Sequence, residues 1–192
     1  MITKVILIGA GRGNRLMPLT ASQPKPFTSI SGKRILDWTL EAFRSNGLND
    51  FVFISGYLKR VIESEYTNFT FTENTDWENN NILFSLLSAR DYLGDGFYAS
   101  YTDTLYQANV IASLTESPHD ITVVMDTEWR ERYKFRSQHP ESDGEKMITN
   151  GNQVLRISRD IDPEAASGEF TGVLKMTQNG AQQFLEFFDE LH

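Results

Sequence analysis

The chain has 192 residues, 40% of them hydrophobic and 23% charged, with a net charge of −8 and no cysteine. That length suits one compact domain; the acidic balance argues against non-specific nucleic-acid binding, which needs a basic face; and the missing thiols exclude disulfides and thiolate zinc sites and fit a reducing cytoplasm. No apolar run reaches the roughly 18 residues of a membrane span, and Met1–Lys4 leads into a strand without the layout of a signal peptide.

Lys4–Ile8 is a near-continuous apolar run, the pattern of a strand buried on both faces of a parallel sheet. A loop punctuated by glycine and proline follows over 9–32. A helix is predicted over 35–46, with Leu36, Leu40 and Phe43 on one face and Gly47 as its stop. Then come a strand at 51–54, a short helix at 58–66, a strand at 69–72, a helix at 81–93, a strand at 97–101, a helix at 105–114 and a strand at 121–125. This alternation predicts an α/β fold, a doubly wound and mostly parallel Rossmann-like sheet. Residues 130–177 read instead as short antiparallel strands, with Asn150-Gly151 as a hairpin turn between 146–149 and 154–157. A last amphipathic helix carries Phe184, Leu185, Phe187, Phe188 and Leu191. The expectation is a single domain over 1–192, with an α/β core over 1–128 and a small antiparallel, β-rich extension over 129–192.

The loop after the first strand reads Gly9-Ala10-Gly11-Arg12-Gly13-Asn14-Arg15-Leu16, then Pro18-Leu19-Thr20 and Pro24-Lys25-Pro26. A dinucleotide fingerprint needs G-x-G-x-x-G opening a helix directly. Here the spacing is G-x-G-x-G, and a proline inside a helix costs about 3 kcal/mol or more, so no long helix starts at Gly11. No Gly-Lys-Ser/Thr closes the turn, which excludes a Walker A loop. What remains is a long loop that wraps a nucleoside triphosphate: glycines let main-chain N–H groups approach phosphate oxygens, and Arg15 and Lys25 bring charge from two points of a proline-stiffened loop. The plain alternative is a surface loop with incidental charges.

This combination resembles the sugar nucleotidyltransferase superfamily, and within it the 2-aminoethylphosphonate and phosphocholine cytidylyltransferases. The resemblance implies a Mg²⁺-dependent enzyme that transfers CMP from CTP to a small phosphonate or phosphoamino-alcohol and releases pyrophosphate. It implies that the main chain from Ile8 through Gly9, Ala10, Gly11, Arg12 and Gly13 holds the triphosphate, with Arg15 and Lys25 acting on the reacting phosphates. Trp77-Glu78-Asn79-Asn80-Asn81 and Ser85-Leu86 resemble the base-recognition segment, which makes Asn80, Asn81 and Ser85 candidates for contact with the base. Ser100-Tyr101-Thr102-Asp103 is similar to the segment presenting the first Mg²⁺ ligand, Asp103. The stretch from His139 to Lys146, with Gly168-Glu169, is similar to the acceptor-binding part. Lys146 becomes a catalytic and acceptor-binding candidate, with Glu145, Arg130, Arg136 and Glu169 beside it and Glu169 as a second metal candidate. Members run some tens of residues longer and commonly carry a further metal-binding Asp there; a truncated form, a minimal form and one that has lost full activity all stay open. CTP and the acceptor are the expected partners, without nucleic acid or membrane; a homodimer and a place in a larger chain both stay open.

Each candidate has a plain alternative. Asp103 could turn or cap the helix after it, and Asn80 or Asn81 could cap theirs. Lys146 and the arginines could be solvated surface charges. Trp77, Tyr101, Trp129 and Tyr133 could be core residues rather than a cage for an acceptor ammonium. His119, His139 and His192 lack metal-ligand spacing. A sugar-1-phosphate nucleotidyltransferase and a non-catalytic nucleotide-binding module are the alternative functions.

Overall fold

A computed structural model describes residues 2–136 and 140–191, the side chain of Arg15 apart. They pack as two compact units, one made of the chain up to Thr122 with the part from Leu174 onward, the other of Val123–Val173. In chain order the elements are β1 (Lys4–Ile8), β2 (Ser29–Ile30), β3 (Lys33–Arg34), α1 (Ile35–Arg44), β4 (Asp50–Ser55), α2 (Lys59–Glu65), β5 (Thr70–Glu73), α3 (Ile82–Leu87), β6 (Phe97–Tyr101), α4 (Ala108–Glu116), β7 (Ile121–Asp126), α5 (Trp129–Tyr133), β8 (Lys146–Asn150), β9 (Gln153–Ser158), β10 (Gly168–Met176) and α6 (Gln178–Leu191).

The first unit is built on parallel strands in the order β5-β4-β1-β6. The register sets Ile6 beside Val52 and Ala99, and Leu7 beside Phe53 and Ser100. Side chains alternate between faces along a strand, so each face gathers its own core. Ile6, Ile8, Val52, Ile54, Phe97 and Ala99 join Leu86 of α3, Leu93, and Met176 and Ala181 near the C-terminus. On the opposite face Phe43 of α1 meets Phe51 and Tyr98 edge-on, at 6.5 and 6.2 Å between ring centroids. Each fully buried aliphatic or aromatic side chain contributes about 1.5–3 kcal/mol. Helices therefore cover both faces, as the apolar run of β1 predicts, and the sheet is mostly parallel.

Local differences have local causes. The helix expected over 81–93 stops at Leu87, and a 3₁₀ turn follows at Arg90–Tyr92. Ser88 Oγ donates back to the Phe84 carbonyl, and the Ser88 N–H is shared between the carbonyls of Phe84 and Ser85, a tightening that ends the α-helix. The loop at 9–32 holds three 3₁₀ turns, at Asn14–Leu16, Leu19–Ala21 and Lys25–Phe27. Gly47, with φ 77°, stops α1 as expected.

Lys175, near the end of β10, is almost wholly buried, and its ammonium donates to the Ser117 carbonyl. Burial holds its pKa below the ordinary lysine value. Between that lowered value and 10.5 the unfolded chain binds more protons than the folded one, so stability rises with pH through that window. Lys175→Met is expected to raise the thermal midpoint by about 2–4 °C at pH 7, the shift of roughly 1 kcal/mol in a chain of this size. The advantage should shrink on approach to pH 10; an equal gain at both pH values, in scanning calorimetry, would assign it to packing alone.

In the second unit β8 pairs antiparallel with β9 and with the start of β10. Asn150 pairs with Gln153, and Gly151, with φ 56°, opens the two-residue turn. The hairpin forms one residue later than the Asn-Gly reading placed it. α5 arises in a stretch expected to be strand; at five residues it is too short to show a helical period. No described helix is long and apolar enough to cross a membrane.

Candidate active site

Four parallel strands of the first unit end on the same side, where open α/β sheets bind ligands. Each delivers a short segment there: Gly9 after β1, Gly56 after β4, Asn74 after β5, and Thr102-Asp103 after β6. The glycine loop is clamped at its root. The Gly9 N–H donates to the Ile54 carbonyl at 3.1 Å, the Tyr57 N–H donates to the Ala10 carbonyl at 2.9 Å, and Thr102 Oγ1 donates to the Ile8 carbonyl at 3.2 Å. A Cβ on Gly9 would lie 2.3 Å from Phe53 Cζ. Beyond the root the loop opens. Among the described residues, no carbonyl or side chain accepts from the amides of Gly11, Arg12 or Gly13, and a Cβ on Gly11 would meet nothing. Arg12 rests over the Tyr57 ring at 5.3 Å.

Gly13 takes the left-handed conformation, φ 70°. Its carbonyl accepts from buried Thr20 Oγ1 at 3.0 Å, and a Cβ there would press on the stem of Lys25 at 2.8 Å. Lys25 opens a 3₁₀ turn set by Pro24, with Pro26 and Phe27 buried beneath it. Its ammonium forms an ion pair with the Asp103 carboxylate, both side chains about a quarter exposed (26% and 29%). Two residues 78 apart in sequence thus meet beside the glycine loop. Asp103 caps nothing: α4 begins at Ala108 behind Gln107. The side chain of Arg15 lies outside the described residues, as do His139 and His192.

Of the base-recognition candidates, Asn81 is the N-cap of α3, accepting from the N–H groups of Leu83 and Phe84 at 3.0 and 3.3 Å. Asn80 and Ser85 converge on a residue that sequence reasoning missed, the buried Asn74. The Tyr57 and Trp77 rings lie 5.6 Å apart. A Cβ on Gly56 would strike both the Ala10 carbonyl and Trp77, at 2.7 and 2.8 Å, so this wall of the loop also depends on a glycine.

The second unit gathers the remaining candidates. Glu169 stands opposite Lys146 in the β10–β8 register and accepts from Tyr133 Oη at 2.6 Å. Burial, and then that bond, push the Tyr133 pKa up to about 12. Gly144 leaves room for both: a Cβ there would sit 3.0 Å from Glu169 Oε1 and from Tyr133 Oη. Lys146 is fully buried, its ammonium held by the carbonyls of Glu141, Ser142 and Gly144 at 3.2, 3.5 and 3.2 Å. Arg136 lies over the Tyr133 ring at 4.0 Å, and Trp129 meets that ring edge-on at 5.4 Å. Arg130 is engaged by Glu164 and Glu141, at 2.8 and 3.7 Å, and Glu145 by Arg159 at 3.2 Å.

A mostly parallel sheet with a glycine loop, a loop lysine and an aspartate at its strand ends defines an α/β protein of the Rossmann-like class. The family model described as nucleotidyl transferase matches residues 4–132, and the chain belongs to that family of enzymes. It is 24% identical to a CTP:phosphoglutamine cytidylyltransferase of Campylobacter jejuni, over 97% of this chain and 78% of that protein. It is also 24% identical to a choline-phosphate cytidylyltransferase of Streptococcus pneumoniae, over 98% of this chain and 89% of that one. Among solved structures, the inositol-1-phosphate CTP transferase from T. maritima superposes with a TM-score of 0.76 at 22% identity, covering 94% of this chain and 73% of its own; that likeness concerns the fold.

Proposed function

We propose that this chain is a Mg²⁺-dependent cytidylyltransferase that moves CMP from CTP to a small phosphate or phosphonate monoester-like acceptor, of the phosphocholine or 2-aminoethylphosphonate type. The observation that carries the reading is the Lys25–Asp103 pair beside the open amides of Gly11 to Gly13. An acceptor oxygen attacks the α-phosphorus of CTP, the bond from that phosphorus to the bridging oxygen breaks, and pyrophosphate leaves. The nucleophile is already anionic, so the protein's task is positioning and charge neutralisation rather than proton removal. The loop amides and Lys25 supply the neutralisation, and Arg15 is assigned to the same task. Asp103 suits Mg²⁺, which takes oxygen ligands and keeps several waters while using only one or two carboxylates; among the described residues no group of three acidic or histidine side chains competes for it. When bound, the ion would supply further neutralisation of the triphosphate.

The second unit is assigned the acceptor. Glu169 offers a carboxylate for an ammonium headgroup and Arg136 positive charge for the phosphate or phosphonate, whereas Trp129 and Tyr133 are buried as core side chains, Lys146 is buried with its ammonium spent on three carbonyls and Arg130 is spent on Glu164 and Glu141, so these four shape the site from beneath; Glu145 precedes the strand of Lys146. The chain's relatives named for phosphoglutamine and choline phosphate favour an acceptor with an amine-bearing body. The test is pyrophosphate release from Mg²⁺ and CTP across a panel of phosphocholine, 2-aminoethylphosphonate, phosphoglutamine, inositol 1-phosphate and glucose 1-phosphate. No release with any of them would end the proposal; a preference for glucose 1-phosphate would move it to the sugar branch. Glu169→Gln is expected to raise KM for a cationic acceptor about tenfold, the loss of one charge-assisted contact of roughly 1.4 kcal/mol, with KM for CTP unchanged. An unchanged acceptor KM would remove Glu169 from the acceptor site.

A further inference from the structure

We infer that Asn74 is a positioning residue that makes the enzyme choose between pyrimidine bases, by locking the side-chain amide of Asn80 in one of its two orientations; this rests on the cytidylyltransferase reading above together with the sequence expectation that Asn80 meets the base. Asn74 follows β5 directly, its N–H donating to the Ser55 carbonyl at the end of β4 at 2.9 Å. It is therefore anchored to the strand whose next residues, Gly56 and Tyr57, brace the glycine loop. Its side chain is buried, and a buried amide must satisfy two donors and two acceptor sites. All four are used. Oδ1 accepts from the Asp76 N–H at 3.1 Å and from Asn80 Nδ2 at 2.9 Å; Nδ2 donates to Asn80 Oδ1 at 2.7 Å and to Ser85 Oγ at 2.9 Å.

The order of these bonds has a direction. A main-chain N–H can only donate, so the atom that faces Asp76 N is an oxygen. That assigns the other end of the Asn74 amide as nitrogen. The nitrogen in turn requires an oxygen on Asn80 opposite it, and the Asn74 oxygen requires the Asn80 nitrogen. The Asn80 amide is thus oriented by a main-chain group two bonds away. The reciprocal pair consumes one N–H and one lone pair of Asn80 on the edge where they point together, leaving one of each that point apart, so that a base meets one of them. Cytosine presents an amino donor at position 4 beside an acceptor at N3; uracil presents an acceptor at position 4 beside an N–H donor at N3. An amide free to turn over would pair with either, and a locked amide pairs well with one. The mismatch leaves donor facing donor or acceptor facing acceptor, the kind of unpaired polar contact that gives strong discrimination.

Asn74→Asp tests this. The Asp76 N–H and Asn80 Nδ2 keep an acceptor, but Asn80 Oδ1 then faces oxygen and the lock is lost. Wild-type protein is expected to prefer CTP over UTP at least tenfold in kcat/KM with a working acceptor, and in calorimetric affinity with Mg²⁺ present. Asn74→Asp should bring that ratio to within about threefold, a loss of roughly 0.7 kcal/mol or more of discrimination, chiefly through KM, with UTP gaining while CTP loses. A residue that only stabilised the fold would lower both nucleotides alike and leave the ratio where it was. Should Asn74→Asp fail to fold by circular dichroism, Asn80→Ala, at a half-exposed position, is expected to collapse the same ratio. An unchanged ratio in the folded variants, or no base preference in wild-type protein, overturns the inference and leaves the nucleotidyltransferase reading standing. Wild-type protein that neither binds nor turns over any of the four nucleoside triphosphates ends both.

Discussion

Lys25→Met is expected to leave the chain folded and to lower turnover by about 10³-fold, the scale of removing one preorganised group that stabilises developing negative charge. The two halves of that result have separate causes. The ion pair with Asp103 is partly solvated, and such pairs contribute only about 0–1 kcal/mol to stability. The thermal midpoint should therefore move by no more than a few degrees. The stem, by contrast, is held by Gly13, Pro24 and the buried Pro26-Phe27 step, so the ammonium occupies a defined place and its loss from the transition state is felt in full. Without nucleotide, Lys25 and Asp103 neutralise each other. On the proposed reading, a bound triphosphate would draw Lys25 from the carboxylate to phosphate oxygens, which would leave Asp103 for a cation. Asp103→Asn should accordingly raise the Mg²⁺ concentration needed for half-maximal rate, while Lys25→Met lowers the rate at saturating Mg²⁺. Wild-type rates from Lys25→Met, measured as pyrophosphate release, would take Lys25 out of the mechanism.

Lys25 and Asp103 were legible in the sequence because each is fixed by something local. Lys25 stands between two prolines, and Asp103 follows an apolar strand at the ligand-binding end of a parallel sheet. The strands themselves, and the wrapping of a long loop instead of a helix after Gly9, follow from hydrophobic runs and from Pro18, Pro24 and Pro26. Asn74 left no such mark. It is a lone amide after a four-residue strand, and its significance depends on Asp76, Asn80 and Ser85 converging through turns that carry no periodic signal. Its position directly after a parallel strand is the one cue that could have raised it. The Asn79-Asn80-Asn81 run was visible, but not its division of labour: Asn81 caps α3, Asn79 bonds Asp76, and Asn80 turns to Asn74. The 3₁₀ turns of the loop and the short α5 fall below the length at which a period can be read.

Gly9→Ala is expected to cost about 1–3 kcal/mol in stability, the range for forcing extra volume into a packed core, and to lower turnover by more than about 100-fold. The added methyl would lie 2.3 Å from Phe53 Cζ and 2.9 Å from Cε1. Phe53 has no way to yield, being wholly buried in β4 with its ring 6.0 Å from that of Phe71. The loop root must shift instead, which lengthens the bonds from Gly9 N to Ile54 and from Thr102 Oγ1 to Ile8. Those bonds aim the amides of Gly11 to Gly13 and, through Thr102, the neighbouring Asp103, so a shift of about 1 Å misplaces several charge-stabilising groups together. A double-mutant cycle identifies the cause. Phe53→Leu removes the colliding ring atoms, and Gly9→Ala in that background should cost at least about 1 kcal/mol less than in wild-type protein, with part of the turnover recovered. Stability changes that add to within about 0.5 kcal/mol would show that Gly9 is required for some reason other than the approach of Phe53, and the clamp at the root of the loop would lose its steric explanation.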